Sequence, residues 1–355
     1  MCKYKIECFQ AQTRTTCLMS SKNKIVIIIS QIIYRNMFRL IIILIVFQQL
    51  KFLAQDLSLN DNQGDLSNKT FVEFMWSNDF VYETDYYYTN GFAFEVLGPW
   101  AKPIPINRIL IPSSDKSLNQ FGVTINQDIF TPQERVDVEK QLDGDRPFAV
   151  YLLLGLIKKT FDHANKTKVM SEIQVGVLGP AALGKETQNG IHDMLPTSSR
   201  VNGWENQISN SIAIQYTGEF YKTLYQVGWI EISGVIKGKL GIPYTQVEVG
   251  SILRFGYFDA YPYDLEMFSK NSWSVYFFAE VTGRAVVYNA TLQGGLFSTS
   301  IYTLDEINRF VGNYNLGLSL AYKLFKLELA TNFNTPEFPG ALSHKWAYAS
   351  IRAGF

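Results

Sequence analysis

The chain closes on Trp346-Ala-Tyr-Ala-Ser-Ile-Arg-Ala-Gly-Phe355, and this stretch decides the fold. Aromatic, small, polar and apolar residues interleave along it, and the last residue is Phe355. A barrel strand between lipid and lumen alternates apolar with polar residues at a period of two. A terminal aromatic closing such a strand is a feature of bacterial outer-membrane barrels, whose assembly machinery reads the last strand. Working back from the C-terminus, segments of about ten residues of period-two or mixed aromatic-aliphatic character recur, each closed by turn residues. They fall at 71–80, 87–97, 119–130, 147–156, 169–178, 207–220, 225–236, 244–256, 273–286, 311–322, 326–334 and 346–355. A further candidate at 291–299 reads as an extension of the ninth. The total of about twelve is even, as single-chain bacterial barrels require. The fold class is therefore all-β: a transmembrane antiparallel β-barrel of about twelve strands. A soluble secreted sandwich or barrel is the alternative that composition alone leaves open.

Composition agrees with the barrel. Aromatics make up 14% of the 355 residues, led by 20 tyrosines and 25 phenylalanines, as aromatic girdles at two membrane interfaces would require. Charged residues are 18% and the formal net charge is zero, so nothing suggests nucleic acid as a partner. The three cysteines are Cys2, Cys8 and Cys17, so the body has no disulfide framework and no cysteine metal site. They precede Met37-Phe38-Arg39-Leu40 and an apolar run of about seven residues, Ile41 to Phe47, with Ala54 ahead of Gln55. That pattern reads as a signal peptide over 37–54, with cleavage near Ala54. Residues 1–36 then read as an upstream extension, 55–69 as a flexible polar lead-in, and 70–355 as the barrel. An N-terminal anchor helix over 24–46 is the competing reading, and charged residues interrupt it.

Two inter-strand stretches are long. The charged 131–146 is loop-like, and 179–206 follows a strand that breaks at Gly179-Pro180. Long connections of a barrel lie on the extracellular side. The second stretch continues into a helix-compatible run, which predicts a short helix in an extracellular loop. It carries His192, one of three histidines, with Gln188 four residues earlier on the same helical face. Far upstream, Asn78-Asp79 and the run Thr84 to Gly91 form a second polar cluster. A lone histidine is more often a structural hydrogen-bonder. One at a strand-to-helix corner, with a distant Asn-Asp pair available, is a better candidate for a site. Each residue also has a bland reading. Asn78-Asp79 suits a wetted barrel interior, Asn90-Gly91 is a hairpin-turn dipeptide, and Asp145-Arg146 reads as a structural ion pair in the lumen. His163 and His344 receive no role.

Six blocks carry a more specific resemblance. They are N-D-F-V-Y-E-T-D-Y-Y-Y-T-N-G-F (78–92), N-Q-D-I-F-T-P (126–132), G-D-R-P-F-A (144–149), V-G-V-L-G-P-A-A-L-G-K-E-T-Q-N-G-I-H (175–192), G-W-E-N-Q-I (203–208) and N-T-P-E-F (334–338). In these residues and their order the chain resembles the outer-membrane lipid A 3′-O-deacylase family, the LpxR type. The resemblance implies an outer-membrane location, an active site between the barrel wall and a loop helix, and lipid A or lipopolysaccharide of the outer leaflet as substrate. It implies hydrolysis of the 3′-linked acyl ester, assisted by calcium. By the same carry-over, His192 is the general base. Asn78 and Asp79 are the Asn-Asp pair next to the calcium site, Thr89 is a pocket hydroxyl and Gln188 a neighbouring polar group.

Ester hydrolysis is compatible with these residue types. Imidazole, whose ordinary pKa is about 6.5, suits the activation of water. A hard cation on carboxylate and amide oxygens suits a developing oxyanion. No G-x-S-x-G elbow is present to support a serine nucleophile. Two departures stand against the family pattern. A glutamate expected about six residues after the histidine is absent, and Asp193 is the nearest carboxylate. Tyr86 stands where the family motif has arginine. The absent glutamate favours the second functional reading, a non-catalytic barrel of the same family, structural or porin-like.

Overall fold

The computed structural model describes residues 68–82, 84, 86–114, 117–133, 144–193, 200–258, 273–296, 300 and 302–355. The readings of 1–36 and 37–54, and of the lead-in up to residue 67, lie outside the described residues.

Twelve strands close into one antiparallel barrel in which each strand pairs with its sequence neighbours and the first pairs with the last. They are β1 (Phe71–Asn78), β2 (Tyr87–Leu97), β3 (Leu118–Thr131), β4 (Ala149–Asp162), β5 (Thr167–Leu178), β6 (Ser211–Val227), β7 (Ile230–Gly241), β8 (Tyr244–Tyr257), β9 (Trp273–Asn289), β10 (Phe310–Tyr322), β11 (Phe325–Asn334) and β12 (His344–Gly354). Closure removes sheet edges, so every strand finds a partner on both sides. No described helix is long and apolar enough to cross a membrane. Among the described residues two short α-helices lie in loops: α1 (Gly184–Asp193) between β5 and β6, and α2 (Ala290–Gln293) after β9.

Three expectations are corrected here. Residues 291–296 of the 291–299 candidate form no strand: Asn289 caps Thr291 N through its side chain and turns the chain into α2, and 297–299 lie outside the described residues. The break expected at 221–224 falls instead at Gly228-Trp229, because β6 continues through a bulge at Leu224 to Val227 and Gly228 adopts the left-handed φ of +50° that a tight reversal needs. Loop length also does not sort by side. One long connection, 98–117, joins β2 to β3 at the end that carries both strand termini of the barrel, and the α1 end has a connection of only Ile242-Pro243.

The strand alternation separates two environments. Outward positions are apolar and exposed, such as Leu154, Val175, Ile212, Val249, Phe277 and Leu316. Many inward positions are polar, and charged ones among them pair with one another. Arg254 with Glu231 (2.8 Å), Lys159 with Glu95 (2.6 Å), Arg284 with Glu248 (3.2 Å) and Lys326 with Glu328 (2.8 Å) cross the lumen wall. Arg352 pairs with Glu73 across the β1–β12 closure. Removing one partner would leave an uncompensated charge, so these pairs fix the register more than they add stability. The expected Asp145–Arg146 pair is not formed between side chains. Arg146, 1% exposed, binds Glu337 Oε2 (2.7 Å) and Thr291 Oγ1 (2.6 Å) and stacks over Phe130. Asp145 instead accepts from Gln133 N at 2.7 Å. One guanidinium thus ties the loops after β3, β9 and β11 together.

Candidate active site on the outer wall

The long 179–210 segment stands on β4 with both feet. Gly179 N donates to Val150 O (2.7 Å) and Ile208 N to Phe148 O (2.9 Å). Between the feet the segment folds down over the outside of the barrel. Ala182, Val201 and Trp204 pack with Ile129, Phe148 and Val150 in one buried cluster, and Leu152 and Val177 lie partly under it. These are outward positions, because Asp128 and Tyr151, their neighbours of opposite parity, bond each other in the lumen. Gln127 Nε2, also outward, donates to Ala182 O at 2.6 Å. The N-terminus of α1 lies directly on this wall. A Cβ at Gly184 would come within 2.8 Å of Val150 and 2.9 Å of Trp204, so a larger residue would push the helix away.

Gln188 is 2% exposed and accepts from Trp204 Nε1 at 3.1 Å, which fixes the buried face of α1. His192 is one turn further on the same side, partly exposed, in the last turn of the helix. Asn189 Oδ1 accepts from Val201 N (2.9 Å) and holds the helix to the returning chain. Asp193 is gripped by Arg200 through both oxygens, at 2.8 and 2.6 Å. Those hydrogen bonds keep its carboxyl below the usual carboxylate range.

The other expected residues gather at the top of β1 and β2. Register places Asn78 opposite Asn90. Asn90 Oδ1 accepts from Trp76 Nε1 (2.8 Å) and from Asn78 Nδ2 (3.4 Å). Asn90-Gly91 is therefore inside β2 and forms no hairpin turn. Thr89 is the residue skipped in the β2–β3 ladder: the register shifts between Tyr88 and Asn90. Such bulges re-aim side chains and are frequent beside active sites. Thr89 is buried, and its hydroxyl donates to Ile129 O at 3.3 Å. Since Ile129 packs in the Trp204 cluster, the Asn78–Asn90–Thr89 corner and the Gln188 face of α1 adjoin through it. Asp79, 1% exposed, accepts from Thr84 Oγ1 (2.9 Å) and Tyr86 N (3.1 Å) and so orders the turn after β1.

Calcium takes six to eight oxygens. Asn78 Oδ1 already accepts from Phe80 N at 2.7 Å, and Asp79 Oδ2 carries the two bonds above. No group of three or more His, Cys, Asp or Glu side chains that could hold a metal occurs among the described residues. Asn78 and Asp79 as placed do not make up a calcium shell, and no chemical step is derived through that ion.

The family model for the outer membrane protein LpxR matches residues 40–355. The chain belongs to the LpxR family. Its fold is similar to that of LpxR from Salmonella typhimurium, at 22% identity and a TM-score of 0.64, covering 80% of this chain and 99% of that one. A weaker likeness is to the β domain of the Bordetella autotransporter BrkA, at 7% identity and a TM-score of 0.44, covering 81% and 99%. No curated protein matches the sequence. As an LpxR-family barrel, the protein resides in the outer membrane. Residues that the sequence reading passed over are Gly184, Asn90, Gln127 and Trp204. Trp204 and Gln127 stood in quoted blocks, G-W-E-N-Q-I and N-Q-D-I-F-T-P, whose order alone signalled them.

Proposed function

We propose that this LpxR-family protein is a lipid A deacylase that hydrolyses the 3′-linked acyl ester of lipid A in the outer leaflet, with His192 as the general base. The observation that carries the reading is α1 itself. A polar helix bearing Gln188 and His192 is held against the lipid-facing side of the wall, beside the Asn78, Asn90 and Thr89 corner. A substrate anchored in the bilayer can reach that face without entering the lumen. Family membership supports lipid A as the lipid modified. In the proposed step, His192 takes a proton from water, and the oxygen attacks the acyl carbonyl. The oxyanion is met by an N–H donor, to which we assign the Gln188 amide, while Thr89, whose hydroxyl donates to Ile129 O, shapes the adjoining corner. The proton then passes from His192 to the leaving sugar oxygen. The barrel assembly machinery is proposed as the partner that reads the Phe355 strand.

The deciding experiment is mass spectrometry of lipid A from cells with and without the gene, and with the His192→Ala form. Loss of one acyl chain only with intact His192 is the expected outcome. Unchanged lipid A in all three would leave a non-catalytic family member. The channel version of that alternative is opposed by the pairing of charges along the lumen wall and by the Arg146 tie at its mouth.

A further inference from the structure

The connection between β2 and β3 runs up the outside of the barrel. On β4, Lys159 faces the lumen and pairs with Glu95, so Lys158 faces out. Lys158 Nζ donates to Ile111 O (3.0 Å) and Ser113 Oγ (3.0 Å). On β5, Glu172 bonds Thr124 in the lumen, so Ser171 faces out, and it accepts from Ile111 N at 3.1 Å. On β6, outward-facing Tyr216 donates its hydroxyl to Ile109 O at 3.2 Å. The strap 98–114 therefore leaves β2, crosses to β6 on the membrane-facing wall and returns to β3.

Its composition and bonding suit lipid. Trp100, Ile106 and Ile109 are exposed by 47, 43 and 51%, with Lys102 and Arg108 exposed among them. Non-helical backbone at membrane depth must have its polar groups satisfied internally. Here Pro99, Pro103, Pro105 and Pro112 remove four donors. Short-range bonds take Ala101, Lys102, Ile104, Asn107 and Leu110 N–H groups. Asn107 Nδ2 caps the carbonyls of Ala101 and Lys102, and barrel side chains cap those of Ile109 and Ile111.

The strap also narrows the bare wall. On β5 the α1 segment lies over Val177 and the strap over Ser171, so the outward residues between them are Ile173 and Val175. Six residues at about 3.3 Å make roughly 20 Å along the strand, or about 15 Å across the membrane at a tilt near 40°, against a usual apolar band of about 25 Å. On β9, by contrast, exposed apolar residues run from Trp273 to Val287.

We propose that strap 98–114 is a lipid-embedded element of the leaflet opposite α1: Trp100, Ile106 and Ile109 enter its acyl boundary and Lys102 and Arg108 take phospholipid phosphates. The bare band beneath α1 is thereby confined to a strip shorter than the bilayer. This inference is independent of catalysis. The test uses the protein in phosphatidylcholine–phosphatidylglycerol vesicles, reading Trp100 as the emission lost in Trp100→Phe. A second probe is Ile106→Trp placed in that variant, and heat-modifiable mobility reports folding of each. The expected result is loss of most probe emission with phospholipids brominated near the headgroup, and little quenching by aqueous iodide. Quenching by iodide and not by brominated lipid would overturn the proposal. Quenching by neither would also overturn it, since a second protein surface would then cover the strap.

Discussion

At the scale of the residue, the proposed mechanism turns on one imidazole. If His192 activates water, His192→Ala should lower deacylation by roughly 10²–10⁴-fold while leaving heat-modifiable mobility unchanged, as read by fatty acid release from purified lipid A. Full activity in that variant would refute the proposed mechanism. Asp193 makes the opposite case. In sequence it stood as the nearest substitute for the absent glutamate, yet Arg200 holds both its oxygens. Asp193→Asn should accordingly change the rate little, and calcium titration of the two proteins should superimpose. The sign of its pH effect follows from its lowered pKa. The contact with Arg200 is present above the ordinary carboxylate pKa of about 3.9 and is lost only as pH falls through the lower folded value. It therefore contributes no pH dependence to assays above about pH 5. Calcium itself is the sharper question. With Asn78 and Asp79 oxygens engaged within their own turn, excess chelator should leave most of the activity. Abolition by chelator, restored by calcium alone, would show that oxygens beyond these two residues complete a shell.

At the scale of the element, the decisive feature is the seat of α1. The shared face of Gln188 and His192 was legible in the sequence, because spacing by four fixes it once a helix forms. What the helix lies against was not legible, since that depends on two feet on β4 and a non-local cluster around Trp204. The same distinction separates the strands. Period-two alternation located the twelve, and it gave β2 to the residue. The β6–β7 turn was misplaced because a bulge at Leu224 interrupts the alternation inside β6, and only the backbone of Gly228 marks the reversal. The bulge at Thr89 is likewise invisible to a period-two reading, and the dipeptide chemistry of Asn90-Gly91 pointed to a turn that does not form. Gly184 turns this into a prediction. Gly184→Val drives a side chain into Val150 and Trp204 and must lift α1 from the wall. A displacement near 1 Å can cost about a hundredfold in rate. The expected outcome is a folded barrel with kcat/KM reduced by about that factor, measured on lipid A in mixed micelles. Wild-type kinetics in this variant would mean that the helix position is irrelevant to the chemistry.

At the scale of the whole molecule, a barrel that works on its outer wall has no use for an open lumen. Here paired side chains occupy the lumen wall, and Arg146 binds Glu337 and Thr291 where the loops after β3, β9 and β11 converge. That arrangement distinguishes an outward-acting enzyme from a pore by a measurement that needs no substrate. In planar bilayers the wild-type protein should show no stable conductance steps. Arg146→Ala leaves Glu337 without its cation and breaks the tie between loops. Loss of one partner of a buried pair costs about 3 kcal/mol or more, so the variant should lose heat-modifiable mobility at a lower temperature. Conductance in the variant should remain intermittent at most, because Glu231–Arg254, Glu248–Arg284 and Glu95–Lys159 still hold paired charges along the lumen wall. Steady, ion-selective steps from the wild-type protein would reverse the argument. They would assign those charges to a permeation path and leave α1 as a structural cover on the wall.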